Sequence, residues 1–223
     1  MAIPGLVICD LDGTLADTRA DLAAAVNALR AEYGLGPLTV ATVTGYVGEG
    51  VAKLIERALA GHPHDPVDAA ARMERHYHDN LLVHTALYPT VRDGLDRLHG
   101  AGWRLAVVTN KPAVATRKLL AALGIADLLA VILGGGDAPL KPDPGGLLMA
   151  MERTGVPPER AWMIGDNWTD LAAGRNAGIP RCFARYGFGR LKDESFDLAV
   201  DRFADFTDHV LSNSSTTNGA AES

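Results

Sequence analysis

Short apolar runs punctuate the chain, each meeting a polar or glycine-rich stretch: GLVIC before Asp10, RLAVVT before Asn110, LLAVIL before Gly134, AWMIG before Asp166, and RCFARY after Pro180. Each is strand-length and rich in Val, Ile, Leu or aromatic residues. Between them apolar positions recur every three or four residues: VRDGLDRLHGAG after residue 90, PAVATRKLLAALG after 111, PGGLLMAMERTG after 143 and TDLAAGRNAG after 168. That spacing predicts helices with one buried face. Strand and helix in alternation predict an α/β fold, a doubly wound, Rossmann-like parallel sheet covered on both faces, with right-handed crossovers.

One interval breaks the rhythm. The first strand ends at Asp10 and the second begins near Arg104, and roughly ninety residues is too long for a crossover. The interval reads as helices. Thr18, with Asp21 three positions on, forms an approximate capping box, followed by Leu22, Val26, Leu29 and Tyr33 on one face. VAKLIERALAG and DPVDAAARMERHYHDNLL continue the pattern, divided by Gly and Pro turns. Residues 17–86 are therefore expected to form an all-helical cap inserted into a core of 1–16 and 87–211. Both connections leave from one end of the sheet, so the cap can close over whatever lies there. Residues 212–223, SNSSTTNGAAES, have no apolar face and are expected to be disordered.

Composition narrows the class. With 48% hydrophobic and 22% charged residues among 223, the chain reads as an ordinary globular protein. A net charge of −6 argues against unspecific binding to nucleic acid or anionic lipid, while leaving room for a local basic pocket for a small anion. MAIPGLVICD has no basic n-region and its apolar run breaks at Asp10, so neither signal peptide nor membrane span is expected and the cytoplasm is the expected compartment. Cys9 and Cys182 sit inside apolar runs and read as small core residues.

Polar residues cluster just past the strand ends: Asp10 and Asp12 after the first, Thr109 and Asn110 after the second, Lys141 beyond the third, Asp166 and Asp170 after the fourth. In a parallel sheet those ends share one crevice, where doubly wound proteins bind ligands. Converging carboxylates repel unless a cation shares them, and an all-oxygen set suits Mg2+. Mg2+ in turn invites a phosphate. A phosphoryl group held by Lys141, the Thr109 hydroxyl and backbone N–H groups is open to attack by a carboxylate, giving an aspartyl-phosphate. Asp10 is the expected nucleophile. Asp12, two positions on and off the metal, is expected to protonate the leaving alkoxide and then deprotonate the hydrolytic water.

DLDGTLADT at 10–18, VVTNKP at 107–112, KPDP from Lys141 and MIGDNWTDLAAGRNAG from 163 resemble, in order, the four motifs of the haloacid dehalogenase superfamily. With the inserted interval the resemblance covers residues 5 to about 210. It implies a Rossmann-like core with a helical cap, Mg2+ as cofactor, Asp10 as nucleophile, Asp12 as acid and base, and phosphate contacts from Thr109, Asn110 and Lys141. It further implies that Asp166 and the Asp12 backbone carbonyl ligate Mg2+, and that Asp170 supports the metal directly or through water. Asp12 favours phosphatase or phosphomutase branches over those lacking an acid there.

The wider sequence looks like that of bacterial phosphoglycolate phosphatases. The implied reaction is hydrolysis of a small phosphomonoester, 2-phosphoglycolate to glycolate and phosphate. Sugar phosphatase, pyrophosphatase, β-phosphoglucomutase and a non-catalytic phosphate-binding module are the alternatives. Departures fall at Asn167, where a Ser is common, at the bulky Trp168, and at Gly145-Gly146 opening a helix. In the cap, Gly48-Glu49-Gly50 reads either as a substrate-facing loop offering backbone N–H groups to a carboxylate or as a plain helix–helix turn. Lys53, Arg57 and Arg19 read either as carboxylate partners or as solvated surface cations.

Overall fold

The computed structural model describes residues 4–218, with the backbone alone over 214–218. β1 (Leu6–Cys9) leads through β2 (Ala16–Asp17) into α1 (Arg19–Glu32), α2 (Val40–Thr44), α3 (Val51–Ala58) and α4 (Pro66–Asp79), and β3 (Ala86–Leu87) brings the chain back. Alternation follows: α5 (Val91–Gly100), β4 (Arg104–Pro112), α6 (Ala113–Ala122), β5 (Val131–Gly135), α7 (Gly145–Thr154), β6 (Ala161–Gly165), α8 (Trp168–Asn176), β7 (Arg181–Ala184), β8 (Leu198–Val200) and α9 (Phe203–Asn218).

Six strands pair in parallel in the order β5-β4-β1-β6-β7-β8. β1 is central: Leu6 pairs with Arg104 of β4 on one side and Ala161 of β6 on the other. The chain builds outward from β1 first on the β4 side and then on the β6 side, leaving a crevice beyond the carboxyl ends near β1. All four residues of β1 are buried because the sheet is covered twice. Val7 and Cys9 pack with Leu95, Leu119 and Phe206 on one face, whereas Leu6 and Ile8 pack with Leu147, Ala150 and Met163 on the other. The Gly145-Gly146 start of α7 has a packing reason: a Cβ at Gly146 would stand 2.7 Å from Val108 Cγ1, so glycine lets the helix lie close to β4.

The helical interval buries a cluster of its own, with Leu22, Val26 and Leu29 of α1, Val43, Leu54, Ile55, Met73 and Tyr77. α4 starts where Asp65 accepts a hydrogen bond from the Asp68 N–H at 2.8 Å, with Pro66 at the first helical position. α1 starts differently from expectation: Thr18 makes no side-chain capping bond. Asp21 instead crosses to the segment just before β3, where its buried carboxylate accepts from Thr85 N and Thr85 Oγ1, both at 2.8 Å, and from His84 N at 3.0 Å. A tertiary site with three donors outcompetes one local N–H. Asp21→Ala should lower the unfolding free energy by about 3 kcal/mol, read from urea melts, because those donors lose their acceptor.

The interval enters and leaves through one ribbon, since β2 and β3 pair antiparallel with Asp17 opposite Ala86. At the other end of the chain, α9 continues helical to Asn218, into the stretch expected to be disordered. Phe203, Phe206 and Val210 seat its first turns on the sheet, and once anchored a helix gains one hydrogen bond per added residue. Residues 219–223 of the expected tail lie outside the described residues. Among the described residues no helix is long and apolar enough to cross a membrane.

Candidate active site

Parallel strands deliver their last residues to one place. Asp10 follows β1, Thr109, Asn110 and Lys111 end β4, Lys141 follows β5, and Asp166 and Asp170 follow β6 and open α8. Asp10, Asp166 and Asp170 each present an oxygen within 4.8 Å of the others, and all three are buried. Lys141 is the cation between them. Its Nζ donates to Asp10 Oδ1 at 2.7 Å, lies 2.6 Å from Asp170 Oδ1, and donates to the Val108 carbonyl at 2.7 Å. Three acceptors use all three ammonium protons.

Asp166 is seated by backbone. Its Oδ2 accepts from Phe188 N at 2.9 Å and Gly189 N at 2.7 Å, while Oδ1 faces the Thr14 hydroxyl at 3.4 Å. Gly13, at φ +91°, passes so near that any Cβ there would collide with the Asp166 carboxylate. Asp170 serves two structures at once. Its Oδ2 accepts from Asn167 N at 2.9 Å and closes the capping box of α8, and its Oδ1 holds Lys141. Asn167 therefore substitutes fully as an N-cap, and the Trp168 ring carries the Lys192 ammonium at 3.8 Å.

Burial shapes the charges. It pushes the Asp166 carboxyl well above the ordinary range, helped by the charges of Asp170 and Asp10 and opposed by the two backbone N–H groups. Burial likewise lifts Asp170 to about 6, with Lys141 pulling against it. For Lys141, burial works against the ammonium, but Asp10 and Asp170 outweigh it and raise the pKa. Three carboxylates against one ammonium leave a surplus of two negative charges when all are ionised. A hard divalent cation with oxygen ligands matches both the surplus and the donor set, so the residues fit Mg2+.

A cavity of about 490 Å³ opens over this cluster, lined on the sheet side by Asp10, Asp12, Thr109 and Lys141 and on the helical side by Leu54 and Met73. Gly48 and Gly50 also line it. The Gly48 carbonyl accepts from Asn110 Nδ2 at 2.9 Å; that same nitrogen donates to the Lys141 carbonyl at 2.9 Å, and Asn110 Oδ1 accepts from Lys141 N at 2.7 Å. The Asn110 side chain thus joins β4, the Lys141 loop and the helical interval, with its amide occupied by protein groups. Lys53 pairs with Glu56, Arg57 with Glu49, and Arg19 with Asp17, and none of the three cations lines the cavity.

Asp12 holds the least expected contact. Its carboxylate accepts from Lys111 Nζ at 2.9 and 3.1 Å, and that ammonium lies 4.4 Å from the centroid of the Tyr77 ring in α4. Burial works against this ammonium too, and Asp12 together with Tyr77 outweighs it. Sequence reading passed over Lys111 although VVTNKP contains it. The available signal was its position: Lys111 stands two residues beyond Thr109 at the carboxyl end of the same strand, and both line the cavity.

Comparison with known proteins identifies the family. The family model for haloacid dehalogenase-like hydrolases matches residues 7–184. The chain is similar to the phosphoglycolate phosphatase of Nitrosospira multiformis, 39% identical over 194 residues that span 84% of this chain and 86% of that protein. It is also similar to the phosphoglycolate phosphatase of Rhodospirillum rubrum, 39% identical over 218 residues, or 92% and 90% of the two chains. Among solved structures, a predicted phosphoglycolate phosphatase from Haemophilus somnus superposes with a TM-score of 0.86 at 29% identity, over 94% of this chain and 99% of its own.

Proposed function

This chain belongs to the haloacid dehalogenase-like hydrolase family, and from that premise we propose that it hydrolyses small phosphomonoesters with Mg2+, 2-phosphoglycolate foremost. The observation that carries the reading is Lys141 shared between Asp10 and Asp170 beside Asp166, an anion-attracting cation set in an acidic, cation-attracting pocket. Asp10, the Asp12 backbone carbonyl and Asp166 would hold Mg2+, with Asp170 completing the acidic wall. A divalent ion bound there would supply neutralisation of the surplus charge and polarisation of a phosphoryl oxygen.

Asp10 has Oδ1 on Lys141, which leaves Oδ2 to attack phosphorus. The bond from phosphorus to the ester oxygen breaks as the bond to Asp10 forms. Asp12 gives the leaving alkoxide its proton and, as carboxylate, then takes one from the water that cleaves the aspartyl-phosphate. Lys141 and the Thr109 hydroxyl hold phosphoryl oxygens, and Asn110 keeps the Lys141 loop in place through its side-chain amide. The helical interval of 17–86 acts as a cap that covers this chemistry, and the wider chain works in the cytoplasm without nucleic acid or membrane as partner.

A cavity of about 490 Å³ is generous for a two-carbon leaving group and favours, as the second reading, a sugar phosphatase. Phosphate release across 2-phosphoglycolate, sugar phosphates, pyrophosphate and nucleotides separates the two. The expected profile has the highest kcat/KM for 2-phosphoglycolate, lost with EDTA and regained with Mg2+. A sugar phosphate or pyrophosphate leading the panel replaces the first reading, and no phosphate from any substrate removes both.

A further inference from the structure

Of the lysines and arginines among the described residues, only Lys111 and Lys141 line the cavity. Lys141 is saturated by Asp10, Asp170 and the Val108 carbonyl. Lys111 is not: both of its short hydrogen bonds go to Asp12, and its side chain is 3% exposed. Above it, the buried Tyr77 hydroxyl completes no well-formed hydrogen bond, and the Lys111 ammonium is the charged group within its reach. A buried hydroxyl without a full partner is costly, and a ligand oxygen beside Lys111 would recover that cost.

The position is as informative as the chemistry. Thr109 and Lys111 both line the cavity from the carboxyl end of β4, and the Lys111 ammonium lies toward the Tyr77 ring of α4, so a phosphoryl group at Thr109 has Lys111 near it. Asp12 must also reach the ester oxygen to protonate it. As the protonated acid that serves this oxygen Asp12 carries no charge, and Lys111 is then a buried ammonium without a counter-charge, which is unfavourable unless the substrate brings an anion. A carboxylate one carbon from the ester oxygen supplies one.

We propose that Lys111 is the specificity-determining cation of this site and that, with the Tyr77 hydroxyl, it receives the carboxylate carried by the leaving group of a short phosphomonoester. The assignment rests on the phosphatase reading and adds the residue that selects the substrate. Neutral esters of equal size leave Lys111 uncompensated and are turned over poorly.

The test compares kcat/KM for 2-phosphoglycolate and 2-hydroxyethyl phosphate, which replaces the carboxylate by a neutral alcohol, in the full chain with Mg2+. Wild type should favour phosphoglycolate by roughly 10- to 100-fold. Lys111→Met should bring the ratio close to one, mainly through KM for phosphoglycolate, Lys111→Arg should keep part of it, and Tyr77→Phe should reduce it several-fold. Because Lys111 also faces Asp12, the ratio is the readout rather than the absolute rate. Calorimetric titration of Asp10→Asn and of Asp10→Asn with Lys111→Met reads binding of both ligands without turnover, and the same ratio should collapse. An unchanged ratio, or an equal loss for both ligands, overturns the assignment. Wild type that releases phosphate from neither ester overturns the phosphatase reading instead, and the binding arm then decides Lys111 by itself.

Discussion

Asp10→Asn should reduce phosphate release from every substrate by at least about 10⁴-fold while the protein melts within a few degrees of wild type. An amide keeps the shape of the carboxylate but cannot form the acyl-phosphate. The fold should tolerate the change because Asp10 sits among like charges, 4.8 Å or less from oxygens of Asp166 and Asp170. Removing one negative charge relieves repulsion even as one partner of Lys141 becomes neutral. Released phosphate and circular-dichroism melts on the same preparation check both halves. Turnover near wild type would exclude Asp10 as the nucleophile.

Lys141→Met should behave in the opposite way, losing stability and activity together. Its ammonium holds Asp10, Asp170 and the Val108 carbonyl in one seat, so deleting it strands buried carboxylates and should lower the unfolding free energy by about 3 kcal/mol. Turnover should fall by about 10³-fold or more as phosphoryl charge loses its donor. Arg should not rescue, since a planar fork cannot reproduce three donors from one nitrogen. The pH dependence follows from sign. With burial raising Asp170 to about 6 from 3.8, the native state keeps a proton that the unfolded chain has released, so this group's contribution to stability is present at low pH and lost as pH rises through about 6. Without Lys141 that window extends upward, and melting temperature should drop more steeply between about pH 5 and about pH 8 than in wild type.

Much of this was legible in the sequence because the strands advertise themselves. GLVIC is buried throughout, RLAVVT beyond Arg104 and AWMIG apart from the half-buried Trp162, and continuous apolar runs ending in polar residues mark both the strand and its carboxyl end. Strand order was not legible, since parallel neighbours are joined by helices and no turn records which pairs with which. β2 and β3, two residues each, have no period to detect. Asp21 misled because Thr-x-x-Asp is a local signal, while its actual partners lie more than sixty positions on, at His84 and Thr85. The pairing of Lys111 with Asp12 and Tyr77 was hidden for the same reason: α4 and β4 meet only after the chain has folded back.

That folding back has a consequence in the ribbon where Asp17 lies opposite Ala86. Departure and return are neighbours, so the sheet registers the whole helical excursion as if it were a hairpin. Closing a longer or shorter excursion changes the chain entropy only logarithmically. Helical inserts of other sizes can therefore be grafted at this junction without re-registering a single strand, which makes it the natural splice point for exchanging substrate preference while keeping the phosphoryl chemistry.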